Sequence, residues 1–218
     1  MGVDTPACRN VHQHRERQHC RAADLDRLPS DALRPVIESI WHGDAAANDG
    51  PHTVDVVGHR IVQGGKRLRH ATQITPEVRS EIVSLAEFAP EHNRLEVEGI
   101  DAAQTVLGKD VPQVAVFDTA LHRTLSPEAD TYPGPAGWLD EGIRRFGFHG
   151  ISHPYVARRA SQLRGRPRES LNLISCHLGN GASLAAIRGG SSIDTTHGIH
   201  APGSLMMGTR PGSIDPVS

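Results

Sequence analysis

Apolar and polar positions alternate most sharply between Leu171 and Arg188, where LNLISCHL and ASLAAIR flank Gly179-Asn180-Gly181. Period-two alternation marks strands with one buried face, and Asn-Gly between two such runs favours a hairpin because both residues tolerate positive φ. The pattern predicts a β-hairpin turning on Asn180-Gly181, with a third strand in SSIDTTHG (191–198). VDVVGHRIVQGG (54–65) reads as a buried β segment ending in a glycine pair, and VPQVAVFDT (111–119) as a β-branched strand ending in Phe117 and Asp118. Elsewhere the period is helical. Thr75 caps a helix with Pro76 in its first turn and Val78, Ile82, Leu85 and Phe88 on one face, before Pro90 stops it. His92 and Asn93 then fall in a loop ahead of a second helix carrying Val97, Ile100, Val106 and Leu107 and ending at Gly108. Ser152 reads as the N-cap of a helix with Pro154 in its first turn, built on Val156, Ala160 and Leu163 and closed by Gly165. ALRPVIESIW (32–41) is apolar enough for part of another helix.

The Pro- and Gly-rich stretch from Leu121 to Ile143 reads as a surface crossing or a domain junction. It divides the chain into a partial first unit, 31–120, and the start of a second, 121–218. Residues 1–30 show no sustained apolar periodicity and read as a loose tail.

Composition narrows the class. With 218 residues, 37% hydrophobic and 22% charged, the chain can bury a core, and a net charge of -2 points to neither nucleic acid nor an anionic membrane as partner. Three widely spaced cysteines without a Cys-x-x-Cys fit a reducing, cytoplasmic compartment. No apolar run reaches the length of a membrane span, and no signal peptide is visible. Cys8, His12, His14, His19 and Cys20 match no paired zinc-ligand spacing, so no metal ligands are assigned.

Candidate chemistry gathers at six places. The hairpin tip offers His177, Gly179, Asn180 and Gly181, a composition that suits an anion such as a phosphate, or is simply a tight turn with a surface histidine. Arg60 lies near the end of its strand beside glycines that open access to it. Asp118 sits at the carboxyl end of a buried strand, where open α/β sheets place ligands, although a turn aspartate reads the same way. His149 precedes a helix N-terminus, whose N–H groups attract anions. His92 is exposed or functional, and Arg210 occupies a glycine-rich loop.

The segments GHRIVQGG, FAPEHN, VFDTALHRTL, RRFGFHGISH, CHLGNGAS with IRGG, and LMMGTRPGSIDP occur in the order and approximate spacing of acetate kinases, which the chain resembles from about Val54 to Pro216. That family belongs to the acetate and sugar kinase, Hsp70 and actin superfamily. The resemblance implies an α/β, ribonuclease H-like (actin-like ATPase) fold in two partial domains, and reversible phosphoryl transfer from ATP to acetate, giving acetyl phosphate and ADP, with Mg2+ bridging the phosphates. It implies that Arg60 contacts the substrate carboxylate with His92 nearby, that Asp118 takes the place of the catalytic aspartate, and that His149 and Arg210 stabilise the transition state. His177, Leu178, Gly179, Asn180 and Gly181 take the place of the loop holding ATP phosphates. Because acetate is already ionised at neutral pH, Asp118 is expected to orient an arginine, or metal and water, more than to move a proton. The family is usually homodimeric. Its opening Asn-x-Gly-Ser-Ser-Ser loop has no counterpart in residues 1–30, the family pattern continues past Ser218, and Gln63 stands where histidine is usual. Related propionate and butyrate kinases share the pattern, and a non-catalytic remnant of the family is the other expectation.

Overall fold

The computed structural model describes residues 35, 41, 50–87, 90–199 and 203–213. The N-terminal tail with its Cys/His set, most of the helix expected at 32–41, and Asp215 lie outside them. Two three-stranded sheets form the framework. In the first, β1 (Val57–Ile61) runs parallel to β3 (Gln113–Phe117), with Arg60 opposite Val116, and β2 (Thr72–Gln73) flanks β3 antiparallel. A parallel pair needs a long crossover, and α1 (Pro76–Ser84) and α2 (Pro90–Leu107) lie within it. Ile61, Leu68, Ile82, Val97, Ile100, Ala115 and Phe117 form the core between these helices and the sheet.

Thr75 caps α1 as expected, its hydroxyl accepting the Val78 N–H. Pro90, however, opens α2 instead of merely ending α1, and His92 and Asn93 stand in its first turn, not in a loop. Proline is tolerated at a helix start because its missing N–H would have had no partner there. The β1 segment alternates between exposed and half-buried positions, and full burial begins at Ile61 and continues through Gly65.

Short helical turns, α3 (Pro127–Asp130) and α4 (Gly137–Glu141), fill the Pro- and Gly-rich stretch. Beyond it α5 (Ser152–Arg164) ends at Gly165, which takes the left-handed conformation expected of a closing glycine. The second sheet is an antiparallel meander of β4 (Asn172–Leu178), β5 (Ala182–Arg188) and β6 (Ser191–Thr195). Leu121, Ala157, Ala185 and Ile187 pack α5 and the turn at 120–124 onto it.

The hairpin loops exchange roles relative to the sequence reading. Leu178 pairs with Ala182, so Gly179-Asn180-Gly181 is a three-residue loop, and none of the three takes positive φ. The two-residue turn with both φ values positive is Gly189-Gly190, at 57° and 83°, between paired Arg188 and Ser191. Gly-Gly takes left-handed geometry more readily than Asn-Gly, and the Asn180 carbonyl instead accepts the Gly208 N–H at 3.0 Å, tying the loop to the following segment.

Candidate active site

Asp118 follows β3 directly, and its N–H donates to the Ile61 carbonyl at 2.8 Å, extending the β1–β3 ladder by one residue. Its carboxylate, 2% exposed, accepts the Arg60 guanidinium at 2.5 Å, while the Arg60 side chain remains 55% exposed. The buried acid fixes one edge of the guanidinium and leaves the rest facing outward. The Asp118 carbonyl accepts the Gly150 N–H at 2.7 Å, and a Cβ at Gly150 would lie 2.2 Å from that oxygen. Only glycine fits this approach, which docks the loop carrying His149 onto the end of β3.

A second carboxylate faces the same strand end. Both oxygens of Glu96 accept the Val62 N–H, at 3.2 and 3.1 Å. Burial pushes its carboxyl up to about 7, opposed by that hydrogen bond and by the Arg60 charge, and assisted by Asp118. Asn93, fully buried one turn earlier, accepts the Gln63 N–H and donates to the carbonyls of Gln63 and Ile82. His92 makes no hydrogen bond to these groups among the described residues.

On the other side lies a group of histidines. His149 stacks on His177, with ring centroids 3.9 Å apart and planes at 14°, and His197 lies 5.3 Å away. Its Nδ1 meets the Ser183 hydroxyl at 2.7 Å. Its backbone, at φ 58°, is the one non-glycine in the left-handed region among the described residues. A Cβ at Gly181 would stand 3.2 Å from His149 Nε2 and 3.9 Å from the Arg210 guanidinium. The glycine therefore keeps open a space bordered by a ring nitrogen and a cation. Burial, then His177, His197, His153 and Arg60, push His149 down to about 3, and burial pushes His122 and His153 down to about 4. At neutral pH His149 is a neutral hydrogen-bonding group, not an imidazolium.

Ser152 is the first residue of α5 and does not cap it; Ile151 occupies the cap position. The His153 N–H already donates to the His149 carbonyl, so the turn starts earlier, and the Ser152 hydroxyl instead meets His177 Nδ1 at 2.9 Å.

Arg60, Asp118, His149, His177, Gly181 and Arg210 are thus linked by contacts or electrostatics around one region, and Asn180 joins them through Gly208 in the Arg210 loop. Leu178 is 73% exposed, and its side chain takes no part. The model of the acetokinase family matches residues 7–218. The chain belongs to the acetokinase family. It is 57% identical over 200 residues to an acetate kinase of Microcystis aeruginosa, covering 92% of this chain and 49% of that protein. It is 54% identical over 181 residues to one of Gloeobacter violaceus, covering 83% and 45%. It superimposes on the crystal structure of Porphyromonas gingivalis acetate kinase with a TM-score of 0.79 at 35% identity, covering 86% of this chain and 47% of that one. A propionate kinase from Francisella tularensis gives 0.77 at 34% identity, covering 86% and 47%. The actin-like α/β fold expected from the motifs is the fold of this acetokinase chain, which spans about half the length of these relatives.

Glu96, Asn93, His153, Ser175 and Ser183 were not singled out as site residues by sequence reasoning. The serines carried a signal: each is a polar residue within an apolar strand, and both prove buried. The four-residue spacing of His149 and His153, one helical turn, was the other.

Proposed function

We propose that this chain carries the phosphoryl-transfer site of an acetate kinase, moving phosphate reversibly between ATP and acetate. The observation that supports this most is the space over Gly181, bordered by His149 and the Arg210 guanidinium, beside a half-exposed Arg60 held by buried Asp118. Phosphoryl transfer spreads negative charge over the equatorial oxygens, so positioned donors and cations are its main requirement. In this reading Arg60 binds the acetate carboxylate, Arg210 and His149 Nε2 meet the migrating phosphate, and the backbone at 177–181 borders the nucleotide phosphates. Asp118 holds Arg60 in place and moves no proton, since acetate attacks as its anion.

Magnesium enters only as the partner of ATP, neutralising its phosphates. Asp118 is committed to Arg60 and Glu96 to the Val62 N–H, and among the described residues no three His, Cys, Asp or Glu side chains form a metal-ligand set. These residues therefore do not make a magnesium site by themselves, and no step is assigned to the ion. A cytoplasmic location belongs to the same proposal, supported by the exposed free thiol of Cys176; among the described residues no helix is long and apolar enough to cross a membrane. So does a homodimer of the complete protein.

The test is hydroxylamine trapping of acetyl phosphate with ATP, magnesium and acetate, propionate or butyrate. Acyl hydroxamate forming fastest with acetate supports the proposal. Its absence with all three acids refutes turnover by this chain, and a preference for propionate reassigns the substrate.

A further inference from the structure

Behind His149 runs a row of buried polar groups that the proposed reaction does not itself use. Ser175 Oγ lies 2.9 Å from His153 Nδ1, His153 Nε2 lies 2.9 Å from Ser183 Oγ, and Ser183 Oγ lies 2.7 Å from His149 Nδ1. Ser175, His153 and Ser183 are at most 1% exposed. They come from three elements, β4, α5 and β5, and their alignment depends on the packing of α5 on the hairpin.

We infer that Ser175, His153 and Ser183 form a directed hydrogen-bond relay that fixes His149 as its Nε2–H tautomer, aiming that proton into the space over Gly181. The argument is a proton count. Each hydroxyl and each neutral imidazole has one hydrogen to donate. An arrangement in which Ser183 accepts from both His149 Nδ1–H and His153 Nε2–H leaves the buried Ser183 proton with no acceptor among the described residues, and otherwise the row runs in one of two senses. In one, His149 Nδ1–H donates to Ser183, Ser183 to His153 Nε2, and His153 Nδ1–H to Ser175. The Ser175 hydroxyl proton is then buried with no acceptor among the described residues, a loss of about 1–3 kcal/mol. In the other sense Ser175 donates to His153 Nδ1, His153 Nε2–H to Ser183, and Ser183 to His149 Nδ1. Every buried proton in the row is used, and His149 keeps its own on Nε2, the nitrogen 3.2 Å from where a Gly181 Cβ would stand.

Lowered histidine pKa values keep the row neutral, which the count requires. A tautomer set by the hydrogen bond at the other ring nitrogen is a general device for orienting histidine. The three residues are positioning residues. His149 then offers a donor beside the Arg210 guanidinium, and two donors facing one space select an anion. The tautomer assignment stands on this geometry alone; its value for transfer rests on the acetate kinase reading.

Long-range 1H–15N correlation of the imidazole rings in the full chain at neutral pH reads the tautomers directly, without any variant. The expected result is Nε2–H on both His149 and His153; Nδ1–H on His149 overturns the relay. Ser175→Ala, a residue that does not touch His149, should convert His149 to a mixture of tautomers, and Ser175→Thr should restore the single one. An unchanged His149 signal in Ser175→Ala also overturns it. In the hydroxamate assay, Ser175→Ala should lower kcat at least about tenfold with little change in the KM for acetate. A single Nε2–H tautomer without any turnover by the unsubstituted chain would leave the relay standing and strike only the kinase proposal.

Discussion

Asp118 is 2% exposed yet spends its charge on Arg60, a side chain more than half in solvent, across the carboxyl ends of two parallel strands. This asymmetry separates orientation from proton transfer. Asp118→Asn keeps an acceptor oxygen but removes the charge, a loss of about 1.5 to 3 kcal/mol for a hydrogen bond between charged groups. The expected outcome is a 10- to 100-fold rise in the KM for acetate, with a weaker effect on kcat. A normal KM with a collapsed kcat would instead assign Asp118 to the chemical step.

Gly150→Ala should be the most damaging single methyl addition near the site. Its Cβ would lie 2.2 Å from the Asp118 carbonyl oxygen, and that backbone is fixed by the 2.8 Å bond from the Asp118 N–H to Ile61. Overpacking against fixed backbone costs about 3 kcal/mol, at the top of its usual range. Urea unfolding should show that loss in the midpoint.

Gly181→Ala should behave differently. Its nearest neighbours would be His149 Nε2 at 3.2 Å and the Arg210 guanidinium at 3.9 Å, and its φ lies outside the left-handed region. Stability should change by no more than about 0.5 kcal/mol, while affinity for ADP or inorganic phosphate falls about tenfold or more. Calorimetric titration measures the second, and unaltered binding would remove the phosphate from this space.

Stability should rise between pH 4.5 and 6.5. His122, His149 and His153 sit at about 4, 3 and 4 in the fold against 6.5 unfolded, so their contribution is complete above pH 6.5 and is lost as pH falls toward their folded values. Glu96 has the opposite sign. Its carboxyl lies at about 7 against 4.5, so its contribution is complete below pH 4.5 and is lost as pH rises to 7. Three groups outweigh one in the shared window, and Glu96→Gln should steepen the rise. Urea midpoints at pH 5, 6, 7 and 8 check both slopes; a midpoint falling from pH 5 to 6 contradicts the assignment.

The strands and most helices were legible because their periodicity is local. Thr75, Gly165 and the strand leading to Asp118 follow from short-range chemistry alone, although β3 ends one residue earlier than read, at Phe117. His92 and Asn93 were misread because proline both ends and begins helices, and the 3.6-residue pattern does not tell the two apart. Asn180-Gly181 was misassigned as the two-residue turn with positive φ because the Asn180 carbonyl is held by Gly208, 28 residues on, which no local rule registers. The relay was hidden for the same reason: Ser175, His153 and Ser183 meet only once β4, β5 and α5 have packed.

His149 holds a backbone conformation that non-glycine residues avoid, with φ at 58°. A left-handed residue with a Cβ costs roughly 1–2 kcal/mol, which glycine at this position would spare. Replacement by glycine would relieve that strain but would also remove the ring stacked on His177 and the partner of the buried Ser183 hydroxyl, terms of similar size. The contacts of the ring hold the backbone in that conformation, so the strain at one residue is coupled to the position of the nitrogen that borders the space over Gly181.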